Sequence, residues 1–453
     1  MRRALAAATL LSAALGTAQP LPIGPEFRVN TATTNSQDHP TVGADSAANF
    51  VVVWADGGFI FGQRFDSSSA PLGSEFRVDT STSAFAESPS VSRNVSGFVV
   101  VWDNRDGSNQ GVFGRRFDSS GTPFAEFRVN TYTTTNQSQQ AVSLDPDTGG
   151  FVVVWKDSKD GSSDVYAQRY DVSGVPLGPN FRVNTYTTAF QGSPSVAFSR
   201  FSSFVIVWEG QSGSDSSSIF AQRYLPSGAP VDSEFRVNTT TSGIQTTASV
   251  AIDAVQRFVV AWQDHSTDPN GDIRAQRFLA DGTPAGTDFL VNTYTTLNQT
   301  APRLFADSAN FVIAWNSYGQ DGSNSGIFAR RFSAEGVPKG SEFRVNTYTT
   351  DLQGDPSITR SGSGLFVVVW RSDSQDGSSA GVYAQRFCLP RGDADGNGII
   401  DVADVFYLIN SLFAGGPAPV FNSDVNTTGA TDVGDVFYVI NYLFAGGPQP
   451  DCA

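Results

Sequence analysis

Histidine, cysteine and methionine are nearly missing: 453 residues contain 2 His, 2 Cys and 1 Met. So little histidine leaves imidazole-based acid–base or metal chemistry almost no material. Lysine is confined to Lys156, Lys159 and Lys339, and despite abundant arginine the formal charge is −15 with a pI near 4.5. The basic surface that a phosphate backbone demands is lacking, which excludes nucleic acid as a partner. No apolar stretch approaches the ~20 residues needed to span a bilayer as a helix, so no membrane span is expected. What is present is 35 Phe, 7 Trp, 44 Gly and 23 Pro, with 16% of residues charged. Such a chain is not disordered, and its aromatics and turn formers suit many short strands better than long helices. Its length alone suggests about three domains.

The N-terminus reads Met1-Arg2-Arg3, an apolar run from Ala4 to Leu15, then Gly16-Thr17-Ala18. A basic start, a short apolar run and small residues form the pattern of a cleaved export signal over residues 1–18, so a secreted or cell-surface protein is expected. Export in turn permits a disulfide between Cys388 and Cys452.

Phe-Arg-Val-Asn/Asp recurs at Phe27, Phe76, Phe127, Phe181, Phe235 and Phe343, with Phe289-Leu290-Val291-Asn292 as a variant. The spacings are 49, 51 and then four of 54, and each of the 7 Trp ends an apolar run within one repeat. In the fourth unit, Pro194–Ala197, Phe204–Trp208, Ile219–Tyr224 and Phe235–Asn238 read as strands. Asp-Gly pairs such as Asp106-Gly107 and Gly-x-Pro turns such as Gly174-Val-Pro176 separate them. Four antiparallel strands repeated seven times predict a mainly β fold, a seven-bladed β-propeller over residues 19–387. The last unit lacks an outer strand, which Phe27–Asn30 can supply, closing the ring. An open solenoid is the alternative, since repeat length alone does not establish closure. The strand order resembles WD-type propellers without their WD dipeptide. The motifs resemble those of uncharacterised secreted bacterial repeats reading Phe-Arg-Val-Asn-Thr-Tyr-Thr-Thr and Tyr-Ala-Gln-Arg-Phe, a resemblance that implies a fold and no activity.

Arginine recurs at equivalent strand positions, among them Arg28, Arg77, Arg128 and Arg182 in the Phe-Arg-Val-Asn motif and Arg64, Arg116 and Arg169 in the third strand. A device repeated in every unit reads as scaffold rather than site. Because acids precede most of the first set (Glu26, Glu75, Glu126, Glu234, Asp288, Glu342), inter-strand ion pairs are expected. The Trp ring is expected to be inter-blade core.

After the last blade, Asp393, Asp395, Asn397, Asp401 and Asp404 put oxygen side chains at loop positions 1, 3, 5, 9 and 12, with Gly398 at 6 and the Ile399 carbonyl at 7. That spacing wraps one hard cation in oxygen ligands. Thirty-one residues on, Asp424, Asn426, Thr428, Ala430 (by its carbonyl), Asp432 and Asp435 repeat it. Each loop runs into an apolar-periodic helix, Val405–Ala414 and Val436–Ala445, ended by Gly-Gly-Pro. Two such loop-helix units, with Asp in place of Glu at position 12, resemble a type I dockerin. The resemblance implies a small helical module, residues 388–453, with two Ca²⁺ sites held by these residues. Thr428 replaces a stronger oxygen donor, so the second site is expected to be weaker. It also implies a docking partner. Positions 10 and 11 are Val402-Ala403 and Val433-Gly434, not the hydroxyl pair of the best-known cellulosomal dockerins, so that partner is a cohesin-like or other surface protein. A Cys388–Cys452 bridge would pin the module's ends, worth ~4 kcal/mol by loop entropy. Arg391-Gly392-Asp393 spells an adhesion tripeptide, but its Asp is an expected calcium ligand.

His265 and His39 lie outside any recognised catalytic motif, and no catalytic residue or organic cofactor is expected. The sequence therefore reads as a secreted, monomeric, non-catalytic binding or scaffold protein. Its propeller would present a surface to a polysaccharide or protein, and its calcium module would dock a second protein. The alternative is a polysaccharide-active hydrolase or lyase tethered by the same module.

Overall fold

The computed structural model describes residues 19–107, 109–159, 161–213, 217–307, 309–361, 364–377, 379–388, 392–395, 400–419, 425–426 and 430–447. The predicted leader, Cys452 and four of the expected calcium ligands, Asn397, Ile399, Asp424 and Thr428, lie outside the described residues. The chain divides into two compact units, Leu21–Cys388 and one that takes in Leu389–Ala453.

Leu21–Cys388 forms seven four-stranded antiparallel sheets, the blades of a β-propeller. The fourth is ordered Gln191–Phe198, Phe204–Gly210, Ser218–Tyr224 and Pro230–Arg236 from the centre outward. Each second strand is covered on both faces by the blades stacked against it, so it reads as an unbroken apolar run rather than an alternation. In the seventh blade, Gln353–Arg360, Leu365–Asp373 and Ala380–Cys388 gain their outer strand from the N-terminal Leu21–Arg28. Phe27 pairs with Ala384 and Arg28 with Tyr383. A shared core of Val29, Val42, Trp54, Val367 and Val369 crosses this seam. The ring is closed, which disposes of the open solenoid.

Aromatic packing accounts for the phenylalanines. In every blade two rings stack across the second and third strands, as with Phe98–Phe117 at 4.5 Å and Phe204–Tyr224 at 4.8 Å. The Phe of Phe-Arg-Val-Asn in the preceding blade tilts against that pair: Phe76–Phe117 at 5.5 Å, Phe181–Tyr224 at 5.6 Å and, across the seam, Phe27–Phe65 at 5.5 Å. All seven Trp are 0% exposed. Each lies against the preceding blade, as Trp102 does among Val51, Val53 and Ile60. Burying such a ring stabilises by at least ~2–3 kcal/mol.

Polar repeats finish the job. The Asn or Asp of Phe-Arg-Val-Asn accepts an N–H that the outer strand is too short to reach: Asn130 from Val112 at 2.8 Å, Asn184 from Val165 at 2.7 Å, Asp79 from Ile60 at 2.8 Å. The acids before Phe do not form the expected ring of ion pairs. Instead each clamps the backbone of the previous blade: Glu75 accepts from Thr31 N at 2.8 Å, Glu126 from Thr80 N at 2.8 Å, Glu234 from Thr185 N at 2.7 Å, Glu342 from Thr293 N at 2.7 Å and Glu26 from Thr347 N at 2.6 Å. A carboxylate is drawn to these N–H groups because the strand has ended and no ladder partner remains for them. Asp288 does both, accepting from Thr239 N at 3.0 Å and pairing with Arg274 at 2.6 Å. In the third blade Asn180 takes the acid's place, accepting from Thr131 Oγ1 at 3.0 Å.

The third-strand arginines reach the following blade's turn: Arg64 donates to Ser119 O at 3.3 Å, Arg223 to Ala280 O at 2.9 Å and Arg277 to Ala334 O at 2.8 Å. The guanidinium lies over the turn glycine. A Cβ at Gly121, Gly282 or Gly336 would meet Arg64, Arg223 or Arg277 at 2.5–2.7 Å, and all three glycines hold φ above +80°. The Gly-x-Pro motif is thus a docking place for the neighbouring arginine as well as a turn.

In the second unit, α1 (Val402–Phe413) and α2 (Val433–Ala445) begin three residues before the expected Val405 and Val436. The cause is a capping box in each: Asp401 and Asp432 accept from their helix amides while Asp404 and Asp435 reach back to the cap N–H. A small core of Ile400, Val405, Leu408, Val425, Val436 and Val439 joins the helices.

Since Glu26 clamps the closing seam as Glu234 clamps an interior interface, Glu26→Ala and Glu234→Ala should each cost about 1–2 kcal/mol in denaturant unfolding. A loss for Glu234→Ala with none for Glu26→Ala would contradict closure.

Candidate functional site

The inner strand of each blade opens with the same irregularity. Register shifts by one residue, between Asp38 and Thr41 in the first blade and between Gly354 and Ser357 in the seventh. At the bulge stands a non-glycine residue with positive φ: His39 (52°), Ser88 (50°), Gln139 (57°), Ser193 (46°), Thr247 (51°), Ala301 (52°) and Asp355 (51°). Proline follows at Pro40, Pro89, Pro194, Pro302 and Pro356, tolerated because the bulge frees that position from the ladder. Seven strained backbones held alike, bearing six kinds of side chain with an imidazole and a carboxylate among them, are not explained by packing. All seven residues line one central channel, a cavity of about 410 Å³.

The residue after each Trp varies as freely: Ala55, Asp103, Lys156, Glu209, Gln263, Asn316 and Arg371. Three of them, Glu209, Asp103 and Arg371, bond to bulge residues or to residues beside the bulges. Glu209 accepts from Ser193 Oγ at 2.8 Å and from Thr247 N at 3.1 Å. Gln140 donates to Asp103 at 3.3 Å and to Ser88 O at 2.6 Å. Arg371 pairs with Asp38 at 3.1 Å across the closing seam. Cross-strand from Asp103 stands Glu87. Burial pushes the Asp103 carboxyl up to about 6, with hydrogen bonding from Gln140 and the charge of His39 opposing and that of Glu87 assisting. Buried polar atoms without a hydrogen-bond partner gather here too: Thr41 Oγ1, Gln140 Oε1, Thr247 Oγ1 and Asn316 Oδ1. On the loop that leads into the second inner strand, Phe85 is exposed with the Arg105 guanidinium 3.6 Å over its ring. A concave, hydroxyl-, amide- and carboxylate-lined mouth suits a hydrogen-bonding ligand.

The residues singled out from the sequence fall elsewhere, with one exception. His39 lines the channel, whereas His265 belongs to a loop where its Nδ1 lies 3.0 Å from Pro269 O. In the first calcium loop, Asp393, Asp395 and Asp404 bring carboxylate oxygens within 4.8 Å of one another. Burial, together with the charges of Asp393 and Asp395, pushes the Asp404 carboxyl up to about 7. Such an all-oxygen, mutually repelling set fits a hard cation. Asp401 instead caps α1, accepting from Ala403 N at 2.6 Å. In the second loop Asp435 accepts from Val425 N at 2.6 Å and Asn426 N at 3.0 Å, and Asp432 caps α2; Ala430 is exposed. Cys388 ends its strand buried and is not a free thiol.

Repeat alignment by the commonest motifs overlooks the mouth, because its residues are the ones that do not repeat. Registering the units on Gln-x-x-Pro (Gln191–Pro194, Gln299–Pro302, Gln353–Pro356) would have exposed the variable column.

No family model matches the chain, and no curated protein does. Among solved structures, a protein of unknown function from Dyadobacter fermentans superimposes with a TM-score of 0.50 at 8% identity, over 82% of this chain and 99% of that one. A polysaccharide lyase, the PL25 ulvan lyase bound to -[GlcA(1-4)Rha3S]-, gives a TM-score of 0.50 at 9% identity over 82% and 96%. A puromycin hydrolase gives 0.50 at 12% identity over 79% of this chain and 54% of that one. At such identities the likeness is one of fold.

Proposed function

We propose that the propeller's channel mouth is a polysaccharide-binding site and that the chain is an exported, glycan-active protein. The observation that carries this is the convergence on one channel of seven positive-φ bulges bearing varied side chains, with unpartnered polar atoms of Thr41, Gln140 and Thr247 beside them, in an otherwise repeated ring. A hydroxyl-rich chain matches those groups better than an apolar ligand would. The hydrolase or lyase form is favoured over a purely scaffolding one by Asp103. A carboxyl that burial pushes up to about 6 can give up a proton and take it back close to neutral pH. The PL25 ulvan lyase, a propeller of comparable extent, is a polysaccharide lyase, and glycan is the ligand class proposed here.

In the C-terminal unit, Asp393, Asp395 and Asp404 would hold one Ca²⁺, with Asn397, Ile399 and Asp401 completing the shell. The second loop's Asp424, Asn426, Thr428, Ala430, Asp432 and Asp435 would hold another more weakly. The role of Ca²⁺ would be to neutralise the loop carboxylates and so hold α1 and α2 together. Val402, Phe406 and Phe413 on α1, with Val433, Phe437 and Phe444 on α2, are exposed and suit the docking of a protein partner. A Cys388–Cys452 bridge belongs to the same proposal.

Incubated with a panel of polysaccharides, the protein should release new chain ends from at least one. Asp103→Asn should cut that rate at least ~100-fold while retaining binding. Binding without turnover would leave the scaffolding form, and no binding at all would sink the reading. In calorimetry of the full chain, chelator should lower the melting of the C-terminal unit and leave the propeller transition in place. Neither transition moving, or both moving together, would refute the calcium assignment.

A further inference from the structure

We propose that the channel holds an anionic group at Arg303, so that the glycan it takes is acidic, carrying carboxylate or sulfate substituents; this rests on reading the mouth as a glycan site. The observation is a break in the sevenfold pattern. Two residues past the positive-φ bulge residue, the inner strands place Thr41, Ser90, Ala141, Ser195, Ser249 and Ser357 in equivalent register, opposite the second strand of their own blade. The sixth blade places Arg303 there, opposite Ala314. All seven line the same channel. A ring of small side chains that leaves the channel open is thus interrupted by one cation.

Nothing in the scaffold explains this arginine. The repeated arginines are engaged by neighbouring blades' carbonyls or by acids, as Arg277 is by Ala334 O and Ala285 O, both at 2.8 Å. Arg303 has one bond, from Nη1 to the carbonyl of adjacent Pro302 at 3.0 Å, and its side chain is exposed to the channel. A guanidinium offers five N–H donors in a fork shaped for carboxylate or sulfate oxygens, so most of its capacity is unspent. The mouth carboxylates, by contrast, are largely engaged. Asp38 is paired with Arg371, Asp103 accepts from Gln140 and Gln110, and Glu209 accepts from Ser193 and Thr247. Around the channel the serines are donors in waiting. Ser90 Oγ accepts Val142 N at 3.3 Å and Ser357 Oγ accepts Val42 N at 3.2 Å, which leaves each O–H hydrogen to be given to a ligand.

Asp355, at the bulge of the seventh blade, is the acid whose charge acts on Arg303. It forms no ion pair with it among the described residues, and it would tune the site by competing with an incoming anion. Arg303 would therefore choose the charged ligand and Asp355 would limit how tightly it is held.

The test is calorimetric titration of the full chain with three probes of equal length: a polyuronate oligosaccharide, a sulfated oligosaccharide and a neutral one. Arg303→Ser is the informative variant, since serine is what four other blades carry there. It should weaken binding of the acidic probe about tenfold or more, while Asp355→Asn tightens it a few-fold. Which of the two acidic probes responds distinguishes carboxylate from sulfate. Binding of the neutral probe as tightly as the acidic ones, or acidic binding unchanged in Arg303→Ser, overturns the inference and leaves the glycan reading standing. If no oligosaccharide binds, the glycan reading fails. Titration with inorganic sulfate then decides the anion site alone: binding lost in Arg303→Ser upholds it, and no binding overturns it.

Discussion

The structure depends on the contact between one blade's outer-strand phenylalanine and the next blade's stacked aromatic pair. A four-stranded sheet cannot bury its faces alone, and here each is covered by Trp, Phe and valine from its neighbours, as in the cluster of Val152, Val154, Phe204, Ile206 and Trp208. Closure follows, because an open array would leave one such face bare at each end. The N-terminal Leu21–Arg28 removes that edge by completing the last sheet, bringing Phe27 to Phe65 in the geometry used at the interior interfaces. Acid-to-amide clamps and arginine-over-glycine contacts then fix the angle between blades without adding much burial.

Those repeated parts were legible because a feature needed at every interface must recur at a fixed spacing. Blade number, strand order, the buried Trp ring and the seam can all be argued from Phe-Arg-Val-Asn and the Trp runs. The acids were placed correctly but assigned the wrong partner. Sequence shows that Glu126 neighbours an arginine; only the fold shows that Thr80 of the previous blade has ended its strand with an N–H to satisfy. The helix starts were missed for a similar reason, since Asp401 and Asp432 were treated as ligands only while they also cap.

The mouth was illegible for the opposite reason. Its residues matter through their departure from the pattern, and a departure is visible only once the units are aligned on their inner strands rather than on Phe-Arg-Val-Asn or Trp. Arg303 looks unremarkable beside so many scaffold arginines until it is aligned with Ser90, Ser195 and Ser357. His39 and Asp355 look like loop residues until the bulge turns them to the channel. The molecule thus divides its labour between columns that repeat and build the ring, and columns that vary and address a ligand.

That division is tested most directly by levelling the mouth. A variant carrying His39→Ser, Gln139→Ser, Arg303→Ser and Asp355→Ser would give four blades the bulge or channel residue their neighbours already use. Its melting temperature and its retention on immobilised polysaccharide would be measured beside those of the parent. The ring should melt within a few degrees of the parent while retention is lost. Retention undiminished in a folded, levelled ring would contradict the assignment of the mouth, and collapse of the ring would show that the varying columns are scaffold after all.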